Sequence, residues 1–376
     1  MINFVLIGCG KIGKRHAAFM STFGKLLAVC DVDKNRADAL ANQFDVPAFY
    51  VIEDLLHNIK NATVAAVCTP NGLHAQHSMQ LLNAGLHVIC EKPLALTAKE
   101  GIDLVNLADK TGLVNATCFN TRFYPMVHEA RSLVKSDLIG VPRYIKGHYH
   151  QDWLTLETDW NWRLEAEQAG ELRAVADIGS HLIDQIGFVS GLEISEVMAE
   201  LHTLVKTRQK PTGPVQTFTI DTSSKRESVK MSSDDAAGVL IRFTNGARAT
   251  ISISQISSGR KNSINWEISG PDGSLAFDSE NPEQLWIGHR GKANEVLQRD
   301  LSMLSPSAAK ISFYPGGHIE GFSETFRGLF ERVYADIESE SRSATYPTFA
   351  DGVRSLQITD AIAESSQKSS WVKVKR

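Results

Sequence analysis

Residues 3–13 read NFVLIGCGKIG. An apolar run, Asn3–Ile7, breaks at Gly8-Cys9-Gly10-Lys11-Ile12-Gly13, and helical spacing takes over from Ile12 to Phe23. A GxGxxG in isolation says little. Here it follows a strand pattern and opens a helix, and Asp31 closes the next apolar run, Leu26–Cys30, at about the 20-residue spacing of a dinucleotide-binding fingerprint. Gly8 allows the tight turn, Gly10 lets backbone approach a pyrophosphate, and Gly13 lets helix and strand pack closely. Lys11 and Ile12 begin the helix whose N-terminal amides attract the anion. Asp31 can accept hydrogen bonds from both ribose hydroxyls and would repel a 2′-phosphate. NAD is therefore expected, with NADP possible because Arg36 lies close by in the sequence.

Outward from this turn the first third alternates strand and helix patterns. Helical spacing covers Lys34–Phe44, His74–Ala84 and Ala98–Lys110. Apolar runs cover Val64–Cys68, His87–Cys90 and Leu113–Thr117. Such alternation implies a parallel sheet covered on both faces. After about residue 122 the rhythm changes. Arg143–His150, Glu196–Val205, Ala236–Phe243, Ala247–Gln255, Asn262–Ser269, Ser274–Asp278 and Gln284–Gly288 read as longer strands. Asn245-Gly246 predicts a hairpin with both turn residues at positive φ, and Gly270-Pro271-Asp272-Gly273 a second turn. Lys206–Asp235 is polar and is expected as a long, mobile loop. Gly321–Ile337 and Asp351–Ser366 read as helices. The expectation is an α/β protein with a dinucleotide-binding domain at 1–122 and a mixed, mostly antiparallel domain at 123–376.

Composition narrows the function classes. The 376 residues are 43% hydrophobic and 22% charged, which suits a soluble globular chain of two domains. A net charge of −4 gives no basic footprint, so nucleic acid is not expected as a partner. No apolar run reaches the roughly 18 residues of a membrane span. The N-terminus reads as a strand rather than a signal peptide, and a cytoplasmic protein is expected. The five cysteines, Cys9, Cys30, Cys68, Cys90 and Cys118, lack zinc-like spacing and are expected as reduced, packed thiols near strand ends.

Two further turns carry chemistry. Thr69-Pro70-Asn71-Gly72-Leu73-His74 places a polar turn after a strand, where ligands bind in open α/β sheets. Thr69, Pro70, Asn71 and His74 are candidate cofactor contacts, with a capped turn as the plainer reading. His87–Cys90 ends in Glu91-Lys92-Pro93, and proline stops the strand there. A lysine at that point can stabilise developing alkoxide charge, or it forms a surface ion pair with Glu91. In Val175–Asp184, Asp177 and His181 stand four apart at the start of a helical pattern, so they share a face or Asp177 caps the helix. Histidine titrates near neutrality and suits proton transfer. The plainer reading is a buried histidine satisfied by Asp177 or Asp184. Trp153, Trp160 and Trp162, among Tyr149, His150, Asp152 and Arg163, suit a sugar ring or a packed loop. His318, in a glycine-rich loop, can reach substrate or serve packing. HExxH, paired-carboxylate and Gly-x-Ser-x-Gly signatures are missing, and no metal is expected.

The stretches GCGKIGKRHAAFM, CDVD, TPNGLHA, AGLHVICEKPLAL, NTRFYP, ADIGSHLID and PTFADGVRSLQITDAI together resemble the glucose–fructose oxidoreductase / inositol dehydrogenase (Gfo/Idh/MocA) family, in order over nearly the whole chain. The resemblance implies an N-terminal Rossmann domain and a C-terminal α/β domain with a large open-faced sheet. It implies NAD(P)-dependent redox chemistry on hydroxyl or keto groups of sugars and inositols. It assigns Lys92 to the nicotinamide and the reacting oxygen, Glu91 to the cofactor end, and Asp177 and His181 to the family's aspartate–histidine pair. It also implies that the Lys92–Pro93 bond is often cis. Asn120 and Arg122 match a stretch lining the cofactor cleft, Arg122 on the substrate side. Asp159–Arg163 resembles a segment that folds over the nicotinamide, which makes Trp160 and Arg163 cofactor contacts and Trp162 a substrate contact.

The sequence thus predicts an NAD-dependent oxidoreductase acting on a secondary hydroxyl of a sugar or cyclitol. Lys92, Asp177 and His181 would be catalytic and Lys92, Arg122, Trp162, Asp177, His181 and His318 would line the substrate. Two alternatives stand beside it: a glycosidase-type enzyme that uses bound NAD for transient oxidation, and a non-catalytic NAD-bound sensor. An apolar face on the open sheet is expected to drive homo-oligomerisation.

Overall fold

The computed structural model describes residues 2–213, 225–339 and 344–375. The chain forms two compact units, 1–120 with 325–356, and 121–324 with 357–376. The single boundary expected at 122 therefore gives way to a division in which residues 325–356 return to the first unit. Their apolar faces pack against the parallel-sheet layer: Phe349, Val353 and Leu356 lie in its core.

The first unit follows the expected alternation: β1 (Ile2–Ile7), α1 (Lys11–Met20), β2 (Gly24–Cys30), α2 (Lys34–Phe44), β3 (Ala48–Phe49), α3 (Ile52–Asn58), β4 (Val64–Val67), α4 (His74–Asn83), β5 (His87–Cys90), α5 (Ala98–Thr111) and β6 (Asn115–Thr117). Among the described residues these strands form one parallel sheet in the order β3-β2-β1-β4-β5-β6. The order reverses between β1 and β4, the crevice where such sheets bind dinucleotides. Local chemistry sets the helix ends. Thr97 and Glu100 form a capping box on α5, and Gly112 closes it at φ 64°. Asp33 caps α2 through the Arg36 amide. β3 and α3 escaped the sequence reading because each is too short for a periodic signal.

The second unit contains α6 (Pro125–Lys135), β7 (Tyr144–His150), α7 (Ala166–Ala169), α8 (Ser180–Ser190), β8 (Ile194–His202), β9 (Thr207–Pro211), β10 (Arg226–Lys230), β11 (Ala236–Phe243), β12 (Arg248–Ser254), β13 (Ser263–Ser269), β14 (Ser274–Asp278), β15 (Gln284–Gly288), β16 (Glu295–Gln298) and α9 (Pro306–Ala309). Two long helices follow, α10 (Phe322–Ser339) and α11 (Phe349–Lys368), and then β17 (Val372–Lys373). The division of the chain falls within both helices. Among the described residues, the large sheet runs β16-β15-β14-β13-β7-β12-β11-β8-β17, antiparallel except where β7 meets β12. Strand alternation sends Ile145, Ile251, Ile253, Trp266 and Phe277 to one face, where Leu182, Ile183 and Ile186 of α8 bury them.

The outward face of the sheet is mixed: Lys146, His148, Glu200, Thr250 and Ser252 share its concave centre with Met198 and Leu240. Two expectations need correction here. At Asn245-Gly246 only Gly246 takes positive φ (92°). The Asn245 side chain instead accepts from the Ala247 amide at 3.0 Å, which holds a wider turn. The stretch expected as a loop at 206–235 contains an antiparallel ribbon, β9 with β10; its part at 214–224 lies outside the described residues. No helix among the described residues is long and apolar enough to cross a membrane.

Candidate active site

In the first unit the nucleotide turn has the spatial features that its glycines imply. Gly8 sits at φ 97°, and a Cβ there would come within 2.5 Å of the Cys68 carbonyl oxygen. A Cβ on Gly13 would lie 1.9 Å from the Gly8 oxygen, so helix and strand touch only because both lack side chains. A Cβ on Gly10 would meet nothing within 4 Å. Gly10 is also the N-cap of α1 and offers no side-chain cap, and the helix begins with Lys11 and Ile12, at the end whose dipole attracts an anion. The Asp31 carboxylate is oriented by backbone: Oδ2 accepts from Cys9 N at 2.7 Å and Oδ1 from Asp33 N at 2.9 Å. Each oxygen keeps further acceptor capacity for ribose hydroxyls. Arg36 is engaged by Asp33 at 3.1 Å. This set of donors, space and carboxylate fits an NAD molecule.

The other strand ends supply the rest of this unit's site. The Lys92–Pro93 peptide is cis. Glu91 is buried, and its Oε1 meets His16 Nε2 of α1 at 2.8 Å while Oε2 accepts from Lys92 N at 3.2 Å. Burial pushes the Glu91 carboxyl up, but the His16 hydrogen bond, with the charges of His16, Lys92 and His74, outweighs it and holds it below its ordinary value. The cofactor contact expected of Glu91 thus competes with a structural pairing to His16. Cys118 and His16 also converge with Glu91, their ligand atoms within 4.8 Å of one another. Burial pushes the Cys118 thiol well above its usual range. Burial likewise pushes Cys9, Cys30 and Cys90 up to about 12 and Cys68 well up, and all five cysteines are free and buried, as thiols packed into a core.

His74 is buried, with Nδ1 at 2.6 Å from the Pro93 carbonyl and Nε2 at 2.8 Å from the Thr69 carbonyl, so its ring joins the Thr69–Leu73 turn to the Lys92–Pro93 turn, the plainer of the two readings. Desolvation lowers its pKa, opposed by those two hydrogen bonds. Pro70 precedes a short 3-10 turn at Asn71–Leu73 at the same sheet edge. Asn120 is buried too, and its amide donates to Thr325 Oγ1 at 2.7 Å, fastening the returning segment.

In the second unit, Asp177 lies inside a π-helical turn, Val175–Gly179, that leads into α8. It therefore caps nothing, contrary to one reading of the sequence. Its Oδ2 accepts from Gln255 Nε2 at 2.8 Å, and its Oδ1 meets Arg163 Nε at 3.1 Å. His181 is buried on the first turn of α8, with Nδ1 at 3.3 Å from Thr121 Oγ1. The Arg122 guanidinium is bidentate to Asp184, at 2.7 and 2.5 Å, and lies over Phe188, which ties it to α8. Arg163 stacks on Trp162 at 4.6 Å. Trp160 is buried, with Nε1 directed to Glu165 and Lys210 above its ring. The His318 carbonyl accepts from the buried Arg299, which holds the glycine-rich loop in shape. Sequence reasoning missed His16, Arg173, Arg208 and Gln255. Only His16 had a visible signal, since it shares the i, i+3, i+4, i+7 spacing of the buried face Gly13-His16-Ala17-Met20.

A parallel sheet that ends in a glycine turn at a helix N-terminus, with an oriented Asp31 just past the next strand, defines a class: an NAD-binding α/β protein. Residues 2–118 match the model described as an oxidoreductase family with an NAD-binding Rossmann fold, and residues 127–276 match the GFO/IDH/MocA C-terminal domain. The chain belongs to the Gfo/Idh/MocA family and is an NAD(P)-dependent dehydrogenase. It is 31% identical to levoglucosan dehydrogenase of Pseudarthrobacter phenanthrenivorans over 83% of this chain and 80% of that one. It is 26% identical to D-glucoside 3-dehydrogenase of Escherichia coli over 80% and 83%. A solved levoglucosan dehydrogenase in complex with NADH and L-sorbose superposes with TM-score 0.88 at 28% identity, covering 100% of this chain and 99% of that chain.

Proposed function

We propose that the chain oxidises a secondary hydroxyl of a sugar, cyclitol or sugar derivative. The observation that carries this reading is the Asp177 carboxylate, which has a donor on each oxygen and lies one helical turn before a buried histidine, His181. The names of the relatives, a levoglucosan and a D-glucoside dehydrogenase, support the substrate class. Bound NAD supplies the hydride acceptor. As hydride leaves the carbon, His181 takes the hydroxyl proton and the C–O bond becomes a carbonyl. The Lys92 ammonium stabilises the negative charge that develops on oxygen. Asp177 orients these partners, and Trp162 offers its face to the apolar side of a sugar ring.

The test is a panel of sugars, inositols and uronic acids assayed for NADH formation, with NADP alongside. NADH from a sugar, together with loss of turnover in Lys92→Ala and His181→Ala, is expected. Turnover that survives either substitution removes the catalytic assignment. Release of a glycoside's substituent without net NADH would favour transient oxidation instead, and NAD binding without any turnover would favour a sensor.

A further inference from the structure

A buried polar network stands behind Asp177. Arg173 is 2% exposed and all its donors point inward: N to Asp234 Oδ1 at 2.6 Å, Nε to Ser233 Oγ at 3.3 Å, one terminal nitrogen to Gln255 Oε1 at 3.0 Å and the other to Asp235. Gln255, also 2% exposed, then donates Nε2 to Asp177 Oδ2 at 2.8 Å. Guanidinium carries donors only, so the Gln255 atom beside it must be the carbonyl oxygen, and the amide nitrogen must face Asp177. An N–H donor on one Asp177 oxygen and the Arg163 guanidinium on the other both require acceptors. Arg173 thus dictates, through one amide, that Asp177 is read as a carboxylate.

The same network anchors the segment that carries the tryptophans. Asp235 Oδ1 also accepts from Arg208 of β9 at 2.8 Å. Arg208, fully buried, donates onward to the carbonyls of Leu154 and Leu156. Gln209 N bonds the Glu157 carbonyl at 2.8 Å, and Arg226 of β10 the Thr158 carbonyl at 2.8 Å. Asp234 accepts from the amides of both Arg173 and Val175, which fixes the start of the π turn. Two arginines and two aspartates balance their charges in the interior, and every link is a charge-assisted or amide hydrogen bond.

We infer that Gln255 is a positioning residue, keyed by Arg173, that holds Asp177 ionised and aimed for the reaction. The inference rests on the dehydrogenase reading of Asp177. The charged and titratable groups around that carboxylate include, among the described residues, Arg163 from the tryptophan segment, Arg173, Asp234 and Asp235 behind Gln255, Arg208 of β9, Tyr149 of β7 and His181 of α8.

Gln255→Glu keeps the acceptor for Arg173 but sets a second carboxyl against Asp177, so one proton is shared between them. The acid limb of the rate profile is expected to move up by about one pH unit. Gln255→Leu removes the donor with little change in volume. Its kcat is expected to fall about tenfold, with NAD affinity unchanged. A wild-type rate profile in Gln255→Glu, or wild-type kcat in Gln255→Leu, would overturn the inference. A readout free of turnover separates it from the substrate reading: infrared spectra of 13C-aspartate-labelled protein, with the Asp177→Asn spectrum subtracted, follow this one carboxyl. Protonation at higher pH in Gln255→Glu than in the wild type supports the inference, and identical titration in the two sinks it. Absence of NADH formation from every sugar would remove the substrate reading alone.

Discussion

His16 on α1 and Glu91 at the end of β5 meet at 2.8 Å in a site where neither is solvent-exposed beyond a trace. The pair joins the helix that opens the nucleotide turn to the strand that delivers Lys92, and Phe330 packs edge-on to the His16 ring at 4.7 Å. Removing one partner of a buried, hydrogen-bonded pair strands the other. His16→Ala is expected to cost about 3–5 kcal/mol in stability, read by denaturant unfolding. A loss below about 1 kcal/mol would show that Glu91 finds another partner.

The same pair sets an acid dependence. Folding lowers the Glu91 pKa, so its contribution is complete above the unfolded value of about 4.3 and disappears as pH falls through the lower folded value. Unfolding free energy in the wild type should therefore drop as pH is lowered from about 4.5, and Glu91→Gln should flatten that part of the curve. An unchanged slope in Glu91→Gln would assign the acid sensitivity to other carboxylates.

Arg122 and Asp184 form a second, partly buried fastener. Asp184→Ala is expected to destabilise the protein by about 3–5 kcal/mol, and the double replacement Arg122→Met/Asp184→Leu by clearly less, because no charge is then left without its bidentate partner. Equal losses in the single and double variants would mean that the α8 packing, rather than the ion pair, carries the effect.

Much of this architecture was legible because backbone demands wrote themselves into residue type. The glycine turn, Asp31, the Glu91-Lys92-Pro93 stop and the alternation of the first unit all follow from local rules. What was hidden is non-local. The amphipathic spacing of residues 325–356 says that one face is buried, but not that it returns to the first unit. The π turn at Val175–Gly179 adds a residue to a turn whose sequence reads like ordinary helix. β9 and β10 carry Arg208, Lys210 and Arg226 because they bond a polar segment rather than an apolar core, so the usual alternation of a half-buried strand is missing. Arg122 and His74 have the residue types of ligand contacts, and only the fold shows that Asp184 and two carbonyl oxygens already hold them.

The Asp31 carboxylate, held by the amides of Cys9 and Asp33, is expected to set cofactor choice. Asp31→Ala should raise the Kd for NADH about tenfold, a loss of about 1.4 kcal/mol, while NADPH binds no worse, since the repulsion of its 2′-phosphate is gone. Fluorescence titration with both cofactors checks this. Equal weakening of the two would assign Asp31 to the turn alone.

Gly10 and Gly13 separate what the fold needs from what the ligand needs. A methyl on Gly13 would fall 1.9 Å from the Gly8 carbonyl oxygen, inside any permitted contact, so Gly13→Ala must push α1 away from β1. A lower Tm and weak NADH binding are expected together. A methyl on Gly10 meets no protein atom within 4 Å, so Gly10→Ala should leave Tm unchanged while NADH binding weakens at least tenfold, because the methyl occupies the approach to the α1 amides. If Gly10→Ala bound NADH as the wild type does, the pyrophosphate would have to lie elsewhere than over this turn.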